Sequence, residues 1–151
     1  MRLMGLYPQT MDNKGRTSVP APIRDELAKQ GIELLVVTND TVGEHDCLVV
    51  YPEPEWEKFI RKFERLPEMD PHVEAFHNHF IAPAQPVGMD GQGRILVPQT
   101  LREEIGLNGK VVVVAAGDKF RIWDADVWAQ VRKDSKARFA ESKRALAEKL
   151  S

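Results

Sequence analysis

The chain has 151 residues, 29% of them charged and 42% hydrophobic, with a formal net charge of −2. That length buries one respectable core or two small ones. A single cysteine, Cys47, excludes an intramolecular disulfide and fits a reducing cytosol. No signal peptide is visible and the longest apolar runs are too short to span a bilayer, so a soluble, cytoplasmic protein is expected.

In chain order, the first distinctive segment is Met11–Leu27, which contains Asp12, Lys14, Gly15, Arg16, Val19, Pro20 and Arg24. A short strand is expected on each side of Asp-x-x-Gly-Arg, with the glycine making the tight turn. Val19-Pro20 opens a helix, because proline is pre-organised for the first turn. Ile23 and Leu27 form its apolar stripe, and Gly31 sits where a left-handed residue ends it. Leu34–Thr38 and Cys47–Pro52 read as strands joined by a polar loop over Asn39–Asp46. A connector follows, with Trp56, Phe59, Ile60, Phe63 and Leu66 on one helical face, suited to core or subunit interface. Pro67, Pro71, Pro83 and Pro86 punctuate the next stretch, where Ala75, Phe76 and Phe80 support a short helix.

The first segment then returns. Met89–Ile105 repeats Met11–Leu27 at a constant offset of 78, with eight of seventeen positions identical. Asp90, Gly93, Arg94, Val97, Pro98 and Arg102 match Asp12, Gly15, Arg16, Val19, Pro20 and Arg24. Leu101, Ile105 and Gly106 repeat the helix signals. Val111–Ala115 and Lys119–Asp124 repeat the strands, here linked by Gly117-Asp118. Each half therefore reads β-turn-β-α-β-β. One half alone leaves an apolar face uncovered, so the two are expected to interlock in one barrel-like core. The boundaries fall at 4–52 and 85–128 for the repeats, with a connector at 53–84 and a tail at 129–151. The stretch from Ala125 to Leu150 carries Val127, Val131, Phe139, Leu146 and Leu150 in an incomplete stripe. That favours a solvated or subunit-packing helix over a DNA-binding arm.

Charge distribution says more than the net value. Met1–Arg24 carries +3, Glu53–Asp70 carries −2 and Arg132–Lys149 carries +4. The basic stretches permit an anionic partner. An arginine held on a rigid turn loses little entropy when it docks a phosphate or a guanine edge. Lys14 adds a point charge to the first turn; Gln92 replaces it in the second, making that turn the more neutral hydrogen-bonder. Arg24 and Arg102 lie on the first helical turn, where the helix dipole disfavours cations, so another interaction should retain them. Two readings of the Asp12–Arg16 and Asp90–Arg94 pairs stay open: contacts to nucleic acid, or ion pairs that merely hold the turns.

Other chemistry is weakly signalled. His72, His77 and His79 with Glu74 fit no zinc spacing and share no helical face. No Ser-His-Asp pattern, P-loop or dinucleotide fingerprint is present. Each repeat aspartate sits beside an arginine that would hold it ionised, which suits neither general acid. An enzyme is not expected, nor any cofactor, metal or small-molecule substrate.

The paired Asp-x-x-Gly-Arg-x-x-Val-Pro motifs, with Ile122-Trp123 and the following Trp128, resemble the tandem SpoVT/AbrB-type domains of the MraZ family. One such motif would also fit AbrB-like regulators and MazE-type antitoxins; two in a chain of this length point to MraZ. The likeness covers Met4 to about Val131. It implies an α+β fold in which two swapped-hairpin β-α-β units form a pseudo-symmetric double-split β-barrel, with connector and C-terminal helices. It also implies a nucleoid-associated regulator that binds short direct repeats in double-stranded promoter DNA, its own included, as a ring of subunits. The regulated genes would be the division and cell-wall cluster. DNA contact would fall to Asp12, Arg16, Asp90 and Arg94, with Lys14, Arg24 and Arg102 beside them. Thr17-Ser18 is more polar than the family's usual apolar pair, and Gln92 stands for a lysine. The alternative is an antitoxin-like or ring-scaffold module whose arginine turns bind an acidic protein.

Overall fold

In a computed structural model, which describes residues 1–151, both copies of the repeat fold as strand, turn, strand, helix, strand, strand. The first half comprises β1 (Leu6–Met11), β2 (Arg16–Ser18), α1 (Ala21–Lys29), β3 (Leu34–Val42) and β4 (His45–Pro52). The connector comprises α2 (Glu53–Phe63), α3 (Pro71–Phe76) and a π-helical turn over His77–Ile81. The second half comprises β5 (Gln85–Gly88), β6 (Arg94–Leu96), α4 (Gln99–Ile105), β7 (Gly109–Ala115) and β8 (Phe120–Asp124). A single long helix, α5 (Ala125–Leu150), completes the chain. No helix is long and apolar enough to cross a membrane.

Pro20 and Pro98 stand just before their helices, as extended N-caps, one step earlier than the first-turn position expected for them. Gly106 ends α4 at φ 67°, in the left-handed region that glycine enters without a Cβ clash. The reversal lets the Leu107 N–H donate to the Arg102 carbonyl at 2.8 Å and drops Leu107 into the core. Ile105, by contrast, is only partly buried.

Six strands form one antiparallel sheet in the order β1-β7-β8-β4-β3-β5. The first strand of each half pairs with the third strand of the other: Leu6 lies opposite Val114, and Gly88 opposite Leu34. The fourth strands meet at the centre, with Val49 opposite Arg121. Exchanging the halves leaves this order unchanged, so the sheet has a pseudo-twofold axis between β4 and β8. It does not close on itself; β1 and β5 are its edges. β2 and β6 form a separate two-stranded ribbon.

Both faces of the sheet centre are covered, which is why β3 and β4 read as continuous apolar runs rather than alternating ones. On one face, Leu35, Val37, Leu48, Val50, Val111, Val113 and Ile122 pack with Ile23, Leu27 and Leu101 from α1 and α4 and with Ile95 from the ribbon. On the other, Val36, Val49 and Tyr51 meet Trp56 and Phe80 of the connector. Tyr51 takes Trp56 edge-on at 5.5 Å between centroids and Phe80 at 6.2 Å. Such aromatic pairs contribute about 0.5–1.5 kcal/mol each beyond the area they bury. The π-turn is tied down by polar anchors: Thr38 Oγ1 donates to the Phe80 carbonyl at 2.5 Å and Asn39 Nδ2 to that of His79 at 3.3 Å.

Two expectations need correction. The stretch Asn39–Asp46 is not a polar loop: β3 runs to Val42, β4 starts at His45, and only Gly43-Glu44 turns. Its polar residues bond within and beside the hairpin, Thr41 Oγ1 to Asp46 at 3.0 Å and Asp40 to Arg121 Nε at 2.8 Å. Leu66 lies past the end of α2 at Phe63 and is 48% exposed, lining an apolar groove with Phe59 and Phe63 rather than joining the helix.

Candidate nucleic-acid interface

Each Asp-x-x-Gly-Arg segment is a closed turn between two strands. The Asp12 N–H donates to the Arg16 carbonyl at 3.0 Å, and the Gly15 N–H to the Asp12 carbonyl at 3.0 Å. Asp90, Gly93 and Arg94 repeat the pair at 2.8 and 3.0 Å. Gly15 and Gly93 hold φ 91° and 75°, which side chains with a Cβ rarely adopt.

The aspartate does two jobs within the turn. Asp12 Oδ1 accepts from the Lys14 and Arg16 N–H groups at 3.0 and 2.8 Å, while Oδ2 accepts from Arg16 Nε at 2.7 Å. Asp90 does the same with Gln92, Arg94 and Arg94 Nε at 2.8, 3.0 and 2.9 Å. The backbone N–H of Arg16 is the main reason the Asp12 carboxyl is held down at about 2, aided by the Arg16 side chain and the Lys14 N–H. Asp90 is lowered too, chiefly by the Arg94 N–H. Both are carboxylates at neutral pH. Because each aspartate takes its arginine through Nε, the two terminal amino groups of the guanidinium remain outside that bond. Those are the groups that form a two-pronged contact with a guanine edge or a phosphate.

The antiparallel ribbon sets the two turns at its opposite ends. Arg16 lies opposite Leu96, Thr17 opposite Ile95, and Ser18 opposite Arg94. Residues alternate across a strand, so Thr17 and Ile95 face inward, buried, and Arg16, Ser18, Arg94 and Leu96 share the outer face. Arg16 and Arg94 are thus diagonal neighbours across the pseudo-twofold axis.

The halves also cross over at the turns. The Val97 N–H donates to the Gly15 carbonyl and the Val19 N–H to the Gly93 carbonyl, both at 2.9 Å. Arg102 of α4 lies across Gly15, and Arg24 of α1 lies across Gly93, so closely that a Cβ on either glycine would collide with the guanidinium stem. Arg102 Nε donates to the Val97 carbonyl at 2.9 Å. Arg24 is the fourth residue of α1. Arg102, expected on a first turn, falls in the last turn of the short α4, where the helix dipole favours a cation. Both lie against the opposite turn. All seven residues singled out in the sequence (Asp12, Lys14, Arg16, Arg24, Asp90, Arg94 and Arg102) are therefore gathered about one ribbon. Lys14 and Gln92 are exposed at the tips of the two turns.

Sequence reasoning missed Ser18 and Leu96. Arg-Thr-Ser is polar throughout, so nothing in it separates the outward Ser18 from the buried Thr17. In Arg-Ile-Leu the outward Leu96 looks like a core residue until its partner strand is known. The remaining candidates lie elsewhere: His72, His77 and His79 belong to α3 and the π-turn, and no three metal-ligating side chains are gathered there.

The family model described as "MraZ protein, putative antitoxin-like" matches the chain twice, over residues 3–79 and 80–149. Proteins named transcriptional regulator MraZ are similar along most of their length. That of Thioalkalivibrio sulfidiphilus is 40% identical over 128 residues, covering 85% of this chain and 83% of the relative. That of Coxiella burnetii is 39% identical, covering 86% and 84%. That of Nitrosospira multiformis is 41% identical, covering 82% of each. With two tandem matches and relatives of this similarity, the chain belongs to the MraZ family.

Proposed function

We propose that this protein is a DNA-binding transcriptional regulator that contacts double-stranded DNA through the outer face of the β2–β6 ribbon. One observation carries the reading: two arginines, each anchored through Nε by its own aspartate, stand diagonally on the outer face of one ribbon with Arg24, Arg102 and Lys14 around them. The names of its relatives agree with that role. A two-stranded ribbon fits the major groove, where arginine pairs reach guanine O6 and N7. Arg16 and Arg94 read or clamp the duplex, Asp12 and Asp90 aim them, and Lys14, Arg24 and Arg102 supply phosphate contacts. Lys14 opposite Gln92 makes the first turn the more electrostatic of the two. Binding that engages about six phosphates weakens roughly 10³-fold or more between 50 and 200 mM salt.

The finer architecture belongs to the same proposal. The reciprocal pairing of β1 with β7 and of β5 with β3 supports a swapped-hairpin, double-split barrel built from repeats at 4–52 and 85–128. A ring of such subunits presents its ribbons in one rotational sense, which suits short direct repeats at a promoter. Weak single contacts then add through effective concentration. The setting implied by family resemblance is the division and cell-wall gene cluster, on the nucleoid in the cytoplasm.

The test is a gel shift with the DNA upstream of the protein's own gene. Probes with several repeats should bind far more tightly than single-repeat probes. Arg16→Ala and Arg94→Ala should abolish the shift while keeping the wild-type thermal midpoint. Unchanged affinity in both variants would overturn the reading. So would loss of binding that only tracks loss of folding. The antitoxin-like wording of the family description leaves an acidic protein as the competing partner. Retention on repeat DNA that random DNA competes poorly separates the two.

A further inference from the structure

The outer face of the ribbon has nearly symmetric arginines and one asymmetric pair. Ser18 and Leu96 are equivalent under the 78-residue offset, and each lies opposite the other half's arginine, Ser18 against Arg94 and Leu96 against Arg16. Ser18 offers a hydroxyl that donates and accepts. Leu96 is 55% exposed, an apolar side chain standing among guanidinium groups with nothing in the chain to cover it. Beneath them Thr17 and Ile95 are buried, so the backbone that carries both side chains is fixed by the core.

We propose that Ser18 and Leu96 set the direction in which the ribbon reads DNA. The inference rests on the DNA-binding role proposed above. A ribbon with a twofold axis, laid in the groove on the duplex's own dyad, would read both directions alike. Here one half of the face presents an apolar side chain, which fits a thymine methyl group. The other presents a hydroxyl, which fits a polar base edge. Lys14 and Gln92 also differ, but the lysine contact is with phosphate, which positions without specifying sequence. The recognised element is therefore asymmetric, with thymine under the Leu96 half. An asymmetric element repeats head to tail, as subunits related by pure rotation require.

The experiment selects duplexes from a random-sequence pool with the full-length protein and with Leu96→Ser and Ser18→Leu. Leu96 is exposed and Ser18 half-buried, and circular dichroism checks each fold. The wild type should enrich an asymmetric motif. Leu96→Ser and Ser18→Leu each make the face symmetric, so both should enrich palindromic motifs, the second thymine-rich on both sides. Replacing thymine by deoxyuridine in the wild-type motif removes only the methyl group. It should weaken wild-type binding about fourfold per contacted methyl and leave Leu96→Ser unaffected. If either variant enriches the wild-type asymmetric motif, the assignment is wrong. It is equally wrong if Leu96→Ser alters subunit assembly but not the motif, which would make Leu96 an assembly contact. Enrichment of no DNA by any of the three proteins would instead remove the DNA-binding reading itself.

Discussion

Arg102 lies across Gly15, a residue of the other half, and Arg24 makes the reciprocal contact with Gly93. The glycines thus serve the turn twice: they take a positive φ, and they leave room for a guanidinium to cross. Gly15→Ala and Gly93→Ala should each destabilise the fold by more than about 1 kcal/mol, because alanine at such a φ is strained. Each should also push the crossing arginine aside and weaken DNA binding at temperatures where the variant is fully folded. Denaturant melts and gel shifts on the same samples check both effects.

Acid should loosen the first turn. The Asp12 carboxyl lies at about 2 in the fold against an ordinary 3.8. A depressed carboxyl stabilises the fold above its unfolded value and ceases to as pH falls through its folded value. Wild-type and Asp12→Asn proteins should therefore differ in thermal midpoint by a constant amount above about pH 4, with the gap closing toward about pH 2. Midpoints measured across pH 6 to 2 test this; a gap that opens at neutral pH instead would contradict the assignment.

Thr17 is a cost carried by the first half alone. Its hydroxyl is buried and finds no hydrogen-bond partner in the chain, while the equivalent position of the second half is the apolar Ile95. Thr17→Val keeps the shape and removes the orphaned group. It should stabilise the protein by about 1 kcal/mol, raising the thermal midpoint by about 2–4 °C.

Cys47 should be chemically silent. It is fully buried in β4, and burial pushes its thiol up to about 12, with Asp40 nearby adding to the shift. The thiolate is the reactive form. Iodoacetamide at pH 8 should leave the native protein unlabelled by mass spectrometry and modify one site once denaturant unfolds it.

The elements of each half were legible because their signals are local. Glycine and aspartate mark the turn, Val-Pro the helix start, and β-branched runs the strands. What one copy showed, the other repeated. Partnership between halves was not legible: likeness of two segments says nothing about which strand pairs with which. Arg24 looked misplaced on its helix because its neighbour, Gly93, lies in the other copy. Arg102 looked so because α4 is short enough to put it in the last turn. Asn39–Asp46 looked like a loop because a hairpin arm that extends past the sheet loses its apolar code while keeping its ladder. Leu66 followed the helical period of α2 but came after its end.

The reciprocal pairing of β1 with β7 and β5 with β3 is the arrangement two identical half-length chains would make around a true twofold axis. Joined in one polypeptide, the copies need no longer stay alike. In a homodimer every substitution is made twice, so a change that suits one side is imposed on the other. Here Lys14 and Gln92, Thr17 and Ile95, and Ser18 and Leu96 have parted company while the shared strands kept both copies in register. Carried in one chain, each copy can differ from the other while the pair still builds its shared fold.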